Sequence, residues 1–128
     1  MSKGIGIVRI LSNDLPTQED GWVEISAYVK RKHIPYLAAL QTVDEKVLRN
    51  KKAKPEARAR EMRKLDEFLA SFVSAWDWKD QDGNPYPQPN TYEVLGELRQ
   101  EEWAWLQGKA NEVMAQEQAV PKASDTPS

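Results

Sequence analysis

His33 is the only histidine among the 128 residues and there is no cysteine, so proton-relay and thiolate chemistry have little to work with. A Ser-His-Asp triad would have a single possible base, a His-rich metal site is excluded, and disulfides, thiol nucleophiles and Cys-ligated zinc are absent together. No nucleophile is paired with His33 in sequence, and its place after Lys30-Arg31-Lys32 and before Ile34-Pro35 puts it at a strand-to-helix junction. Asp80, Asp82 and Gly83 have the D-x-D-G form of a calcium loop. With Gly83 in the sixth position, however, the first and twelfth ligands would be Trp78 and Pro89, so a plain turn is expected. The adjacent carboxylates Asp66-Glu67 and Glu101-Glu102 do not converge on one point of a helix and are expected as surface charge. Catalytic, metal and cofactor residues are therefore assigned to none, and the chain is expected not to be an enzyme.

Two residue sets are better suited to binding. Between Lys46 and Lys64 nine basic residues face only Glu56 and Glu61, a local charge of +7, whereas Leu65 to Gln118 sums to -8. The formal net charge of -2 is thus a near-cancellation. Lys51, Lys52, Lys54, Arg58, Arg60 and Arg63 form a candidate interaction patch for phosphates, an acidic partner or the acidic half of a second copy. No aromatic residue interleaves with it, as stacking on single-stranded bases would require, so proteins rank ahead of nucleic acid. The same block also has an ordinary use as the solvated face of a helix.

Five tryptophans are many for a chain with a mean hydropathy of -0.73. On a helix the rings of a W-x-W pair point about 200° apart, so Trp103 and Trp105 cannot share the centre of one buried stripe. Trp76, Trp78, Trp103 and Trp105 are candidate protein-binding residues, because large aromatics concentrate at interface hot spots. A thin core built from large side chains would use them equally well.

The elements that must position these residues follow from periodicity. Ile5 to Ile10 is rich in β-branched residues, and after the turn-forming SNDLPTQEDG the run from Trp22 to Val29 alternates, with Val23, Ile25, Ala27 and Val29 on one face. The two predict a β-hairpin over 5–29, which needs helices to cover its apolar side. Pro35 opens a first helix to about Arg49. Pro55 opens a second, in which Leu65, Phe68, Leu69, Phe72, Val73 and Trp76 recur at helical spacing. Prolines 85, 87 and 89 make the following segment extended and irregular. A third helix starts near Thr91, with Asn90 and Glu93 in capping-box positions. The expected architecture is mostly α with a small N-terminal β-hairpin (α+β) and about three helices. It forms one domain over 1–116, with its helical part over 35–116 and a disordered tail over 117–128. No apolar stretch is long enough for a membrane span, and the N-terminus lacks a signal-peptide core, so a cytoplasmic location is expected and no membrane partner.

Three segments give the chain a family likeness. Gly21-Trp22-Val23-Glu24-Ile25 resembles the "GxWVEL" strand of long-tailed, siphophage-type bacteriophage tail assembly chaperones. Phe72-Val73-Ser74-Ala75-Trp76-Asp77-Trp78, running into Asp80-Gln81-Asp82-Gly83-Asn84-Pro85-Tyr86-Pro87, is similar to their "W-x-hydrophobic-x-D-x-x-G-x-P-hydrophobic-P" stretch, and Tyr92, Leu95 and Leu98 lead a last helix. The likeness spans roughly Gly21 to Val113, and the basic middle block and the tryptophan-rich last helix depart from it. It implies a mostly helical, non-enzymatic protein of the host cytoplasm that self-associates. Such a protein holds the hydrophobic tape measure protein, or other tail proteins, soluble during tail morphogenesis. A small structural head-tail or tail-associated virion protein, and a nucleic-acid-binding regulator using residues 46–64, are the alternatives.

Overall fold

The chain is known from a computed structural model that describes residues 6–119. Alternation in the N-terminal segment produces β1 (Ile7–Leu11) and β2 (Trp22–Ser26), antiparallel from Ile7 opposite Ser26 to Leu11 opposite Trp22. Val23 and Ile25 are buried, as their shared face demands, while on the other side Arg9 pairs with Glu24 at 2.9 Å and lies 3.8 Å from the centroid of the Trp22 ring. Ile5, where the hairpin was expected to begin, and residues 120–128 of the expected tail lie outside the described residues.

The helical part is more divided than periodicity implies, with five α-helices rather than about three. The expected helix over 35–49 is two, α1 (Ile34–Leu40) and α2 (Glu45–Arg49). Asp44 causes the division: its carboxylate accepts the amides of Lys46 at 3.0 Å and Val47 at 3.4 Å and so caps a new helix. Helix α3 (Pro55–Phe72) is the hub, touched by α1, α2, α4, α5 and the sheet. It ends four residues before the expected Trp76, because Val73–Trp76 forms a third strand, β3, on the free edge of β2.

In β3 the pairing of Val23 with Trp76 and of Ile25 with Val73 leaves Ser74 as the extra residue of a bulge. A bulge lets Val73 and Trp76, three apart, both face the core, where a regular strand would put them on opposite sides. The expected third helix is likewise two, α4 (Tyr92–Leu95) and α5 (Gln100–Ala119). The expected capping box at Asn90 and Glu93 is not made, since the N-cap of α4 is Thr91 and no side chain caps it. Helix α5 runs to Ala119, three residues into the stretch expected to be a tail.

Phe68, Leu69 and Phe72 of α3, Val23 and Ile25 of β2, Leu95, and Leu106 and Ala110 of α5 form one core. His33 sits at the expected junction between β2 and α1, fully buried, with Phe72 4.9 Å away. Its Nδ1 accepts the Lys30 amide at 2.9 Å, so Nε2 carries the proton and donates to the Ser71 carbonyl at 3.2 Å. That carbonyl lies in the last turn of α3, where no intrahelical partner remains. His33 is therefore a helix-end clamp. Phe72→Ala should cost about 3–5 kcal/mol in urea unfolding, whereas Ile34→Ala, at an exposed position, should stay within about 0.5 kcal/mol of the parent.

Candidate functional site

The tryptophans are organised by the segment after α3. Trp76 and Trp78 are both buried and stacked, with centroids 5.2 Å apart and planes at 8°, because in extended chain residues two apart share a face. Trp76 Nε1 donates to the Pro87 carbonyl at 2.9 Å and Trp78 Nε1 to the Ser12 hydroxyl at 3.1 Å. Trp103 and Trp105, half-buried, flank α5 on two sides, as their spacing requires. Trp103 Nε1 donates to Asp66 at 2.7 Å, and Trp105 Nε1 donates to Asp14 at 2.9 Å while its ring tilts against Trp78 at 5.7 Å. Every indole N–H of the four candidates thus has an internal acceptor, and two of the four rings lie inside the core.

Two glutamines hold this segment in place. Gln18 accepts the Lys79 amide at 3.1 Å and donates to the Lys79 carbonyl at 2.6 Å. Gln88 does the same for Trp76, at 3.3 and 3.1 Å. Each side-chain amide stands in for a neighbouring strand, satisfying both backbone groups of one residue. Between them Asp80 accepts the amides of Asp82 at 2.8 Å and Asn84 at 2.9 Å around Gly83, whose φ of +83° suits glycine, so the acidic run is a turn. Among the described residues no three His, Asp or Glu side chains are grouped to hold a metal ion.

Glu102 is the residue that sequence reasoning misplaced. It is fully buried rather than surface charge, and its carboxylate accepts four hydrogen bonds. Oε2 takes Thr17 Oγ1 at 2.7 Å and Gln18 Nε2 at 2.9 Å; Oε1 takes Tyr86 OH at 3.0 Å and the Arg99 amide at 3.0 Å. Burial by itself would push the carboxyl up, but these donors outweigh it and hold Glu102 below its ordinary value. Burial and the bond to Glu102 push Tyr86 up to about 12, which keeps its hydroxyl a neutral donor. Asp66, the other supposed surface acid, is also buried.

Of the basic patch, Arg63 is engaged with Glu67 at 3.0 Å and lies 4.3 Å from the Tyr92 ring centroid, and Arg60 reaches Glu61 at 3.6 Å. Lys51, Lys52, Lys54 and Arg58 are exposed and make no ion pair among the described residues. A groove of about 580 Å³ is lined by Leu40, Val43, Leu48 and Leu65, with Gln41, Glu45, Arg49 and Gln107 completing it. A polar clip positions its wall: Glu61 accepts the Asp44 amide at 2.9 Å, and Lys64 joins Glu61 at 2.9 Å to the Thr42 carbonyl at 3.2 Å. The Lys64 and Asp44 contacts hold the Glu61 carboxyl below its ordinary value. Gln107, in the lining, has its Oε1 buried and without a hydrogen-bond partner among the described residues. No sequence signal marks Gln107, a lone amide off the apolar stripe of α5.

No family model, curated protein or solved structure matches the chain.

Glu102→Gln places an amide N–H₂ among four donors and should cost about 1–3 kcal/mol at neutral pH. A carboxyl lowered in the fold contributes stability above its unfolded value of 4.5 and loses it as pH falls through the folded value. The gap between parent and Glu102→Gln, read from urea midpoints, should therefore close below pH 4.5. Burial raises the Asp66 carboxyl, so its contribution has the opposite sign and cannot produce this acid limb.

Proposed function

We propose that the chain is a bacteriophage tail assembly chaperone that binds and solubilises the tape measure protein in the host cytoplasm, by binding rather than catalysis. The observation that carries it is the groove between α1, α2, α3 and α5. Leu40, Val43, Leu48 and Leu65 offer an apolar floor to one face of a helix. A partner helix with apolar residues at i, i+3 and i+4 would cover that floor. A tape measure protein, long, helical and apolar when bare, is such a partner.

The binding surface differs from the one expected at first. Trp76 and Trp78 are core residues, and Trp103 and Trp105 spend their N–H groups internally, so docking is assigned to the groove, with Lys51, Lys52, Lys54 and Arg58 as a second contact surface. Those cations also favour a second function, regulation by binding nucleic acid, because Lys51, Lys52, Lys54 and Arg58 make no ion pair among the described residues. A virion subunit would use the same groove permanently.

Co-expression with a helical tape measure segment should leave that segment in the soluble fraction and co-purifying with the chain. Leu48→Asp, at a half-buried groove position, should abolish the complex while leaving the fold intact by circular dichroism. A segment that stays insoluble, with no complex, would overturn the proposal. Retention on DNA at low salt, lost when Lys51, Lys52, Lys54 and Arg58 become Ala, would favour the nucleic-acid function instead.

A further inference from the structure

Asp66 is a buried carboxylate with no ion pair among the described residues. Its side chain leaves α3 toward the turn between α4 and α5, and the residue is only 8% exposed. Among the described residues its one hydrogen bond comes from Trp103 Nε1 at 2.7 Å. The nearest bases in sequence are committed elsewhere, Arg63 to Glu67 at 3.0 Å and Lys64 to Glu61 at 2.9 Å. Burial raises the Asp66 carboxyl above its ordinary value, and the single bond from Trp103 is all that opposes this. Glu102 marks the contrast: also buried, it has four donors.

Asp66 also has a cavity in front of it. A pocket of about 150 Å³ is lined by Asp66, Trp103, Met62, Leu95, Leu98 and Gln100, with Gly96 at its edge. It shares no residue with the groove. At ~30 Å³ per water in the liquid it has room for about five water-sized groups, the size of four methylenes and an ammonium. The walls suit the methylenes, because Met62, Leu95 and Leu98 are apolar. The carboxylate suits the ammonium, which buried beside Asp66 would supply the charge-assisted donor that the fold itself does not. A guanidinium is wider and planar and would need the pocket to open; an anion would meet an uncompensated carboxylate.

We propose that the Asp66 pocket is a binding site for a primary alkylammonium, the chemical form of a lysine side chain, with Asp66 receiving the ammonium and Met62, Leu95, Leu98 and Trp103 enclosing the alkyl stem. This site stands independently of the groove and of the chaperone function. A lysine of a second copy is one source, since Lys51, Lys52 and Lys54 are exposed and without ion pairs; contact between different surfaces of successive copies builds head-to-tail assemblies. A lysine of another protein is the other source.

The test uses n-butylammonium chloride as the probe, with sodium chloride at matched ionic strength as the blank, followed by the Trp103 indole N–H resonance and fluorescence. Saturable binding is expected, with n-butanol, which keeps the stem and loses the charge, about tenfold or more weaker. Asp66→Asn retains an oxygen to accept the Trp103 bond and should weaken the probe by a similar factor. Equal binding of butanol and butylammonium by the parent chain, no saturable change at Trp103, or undiminished binding by Asp66→Asn would each overturn the site. The butanol comparison is made on the parent, so it decides even if Asp66→Asn fails to fold. Sedimentation separates the sources: association that butylammonium competes away identifies a neighbouring copy's lysine, and a monomer that binds the probe excludes that source and leaves a lysine of another protein.

Discussion

A single ionised carboxylate, with no ion pair among the described residues, ties the molecule together. Glu102 takes donors from the β1–β2 loop through Thr17 and Gln18, from the proline segment through Tyr86, and from its own helix start through the Arg99 amide. A buried carboxylate is tolerable only when its lone pairs are filled, so these segments must arrive together or the group is stranded. Glu102 occupies the third position of α5, from which a glutamate reaches back to the N-cap amide; here the N-cap is Arg99, which cannot reciprocate as serine or threonine would. Only the glutamate half of that capping motif is made, and the remaining capacity of the carboxylate is filled by long-range partners.

From that node the rest of the layout follows. Gln18, anchored on Glu102, also fixes the backbone of Lys79, and Gln88 fixes that of Trp76, so the chain leaving α3 is held extended on both sides of the Trp76–Trp78 stack. The close approach is visible at Gly21, where a Cβ would lie 3.0 Å from Asp77 and 3.1 Å from both Ser12 and Trp78. Aromatic residues suited to an interface are thereby used within the fold. What the surface retains is the groove between α1, α2, α3 and α5, the exposed Lys51, Lys52 and Lys54, and the Asp66 pocket.

The legible parts were those written in local pattern. Alternation placed Val23 and Ile25 on the core face of β2, and Pro55 and the apolar spacing of Leu65, Phe68, Leu69 and Phe72 located α3. Its end was hidden because Phe72, Val73 and Trp76 keep a spacing that serves a helix and a bulged strand alike; only pairing with β2 decides between them. Asp44 was a readable cap that an apolar stripe overrode. Glu102 was unreadable, since adjacent acids on a helix look like surface charge until residues 84 and 85 positions earlier in the chain fold against one of them. The groove was hidden for the same reason, being formed by four helices that no local pattern brings together.

The central claim is that the tryptophans are internal fixtures and that partners are met at the groove. The direct measurement is the pair of amide and indole N–H spectra of the chain, free and saturated with a tape measure segment. The account predicts shifts at Leu40, Val43, Leu48 and Leu65 and at the Gln107 side-chain amide, with the Trp76, Trp78 and Trp105 indole signals unmoved. Shifts confined to those indole signals, with the groove unchanged, would contradict it.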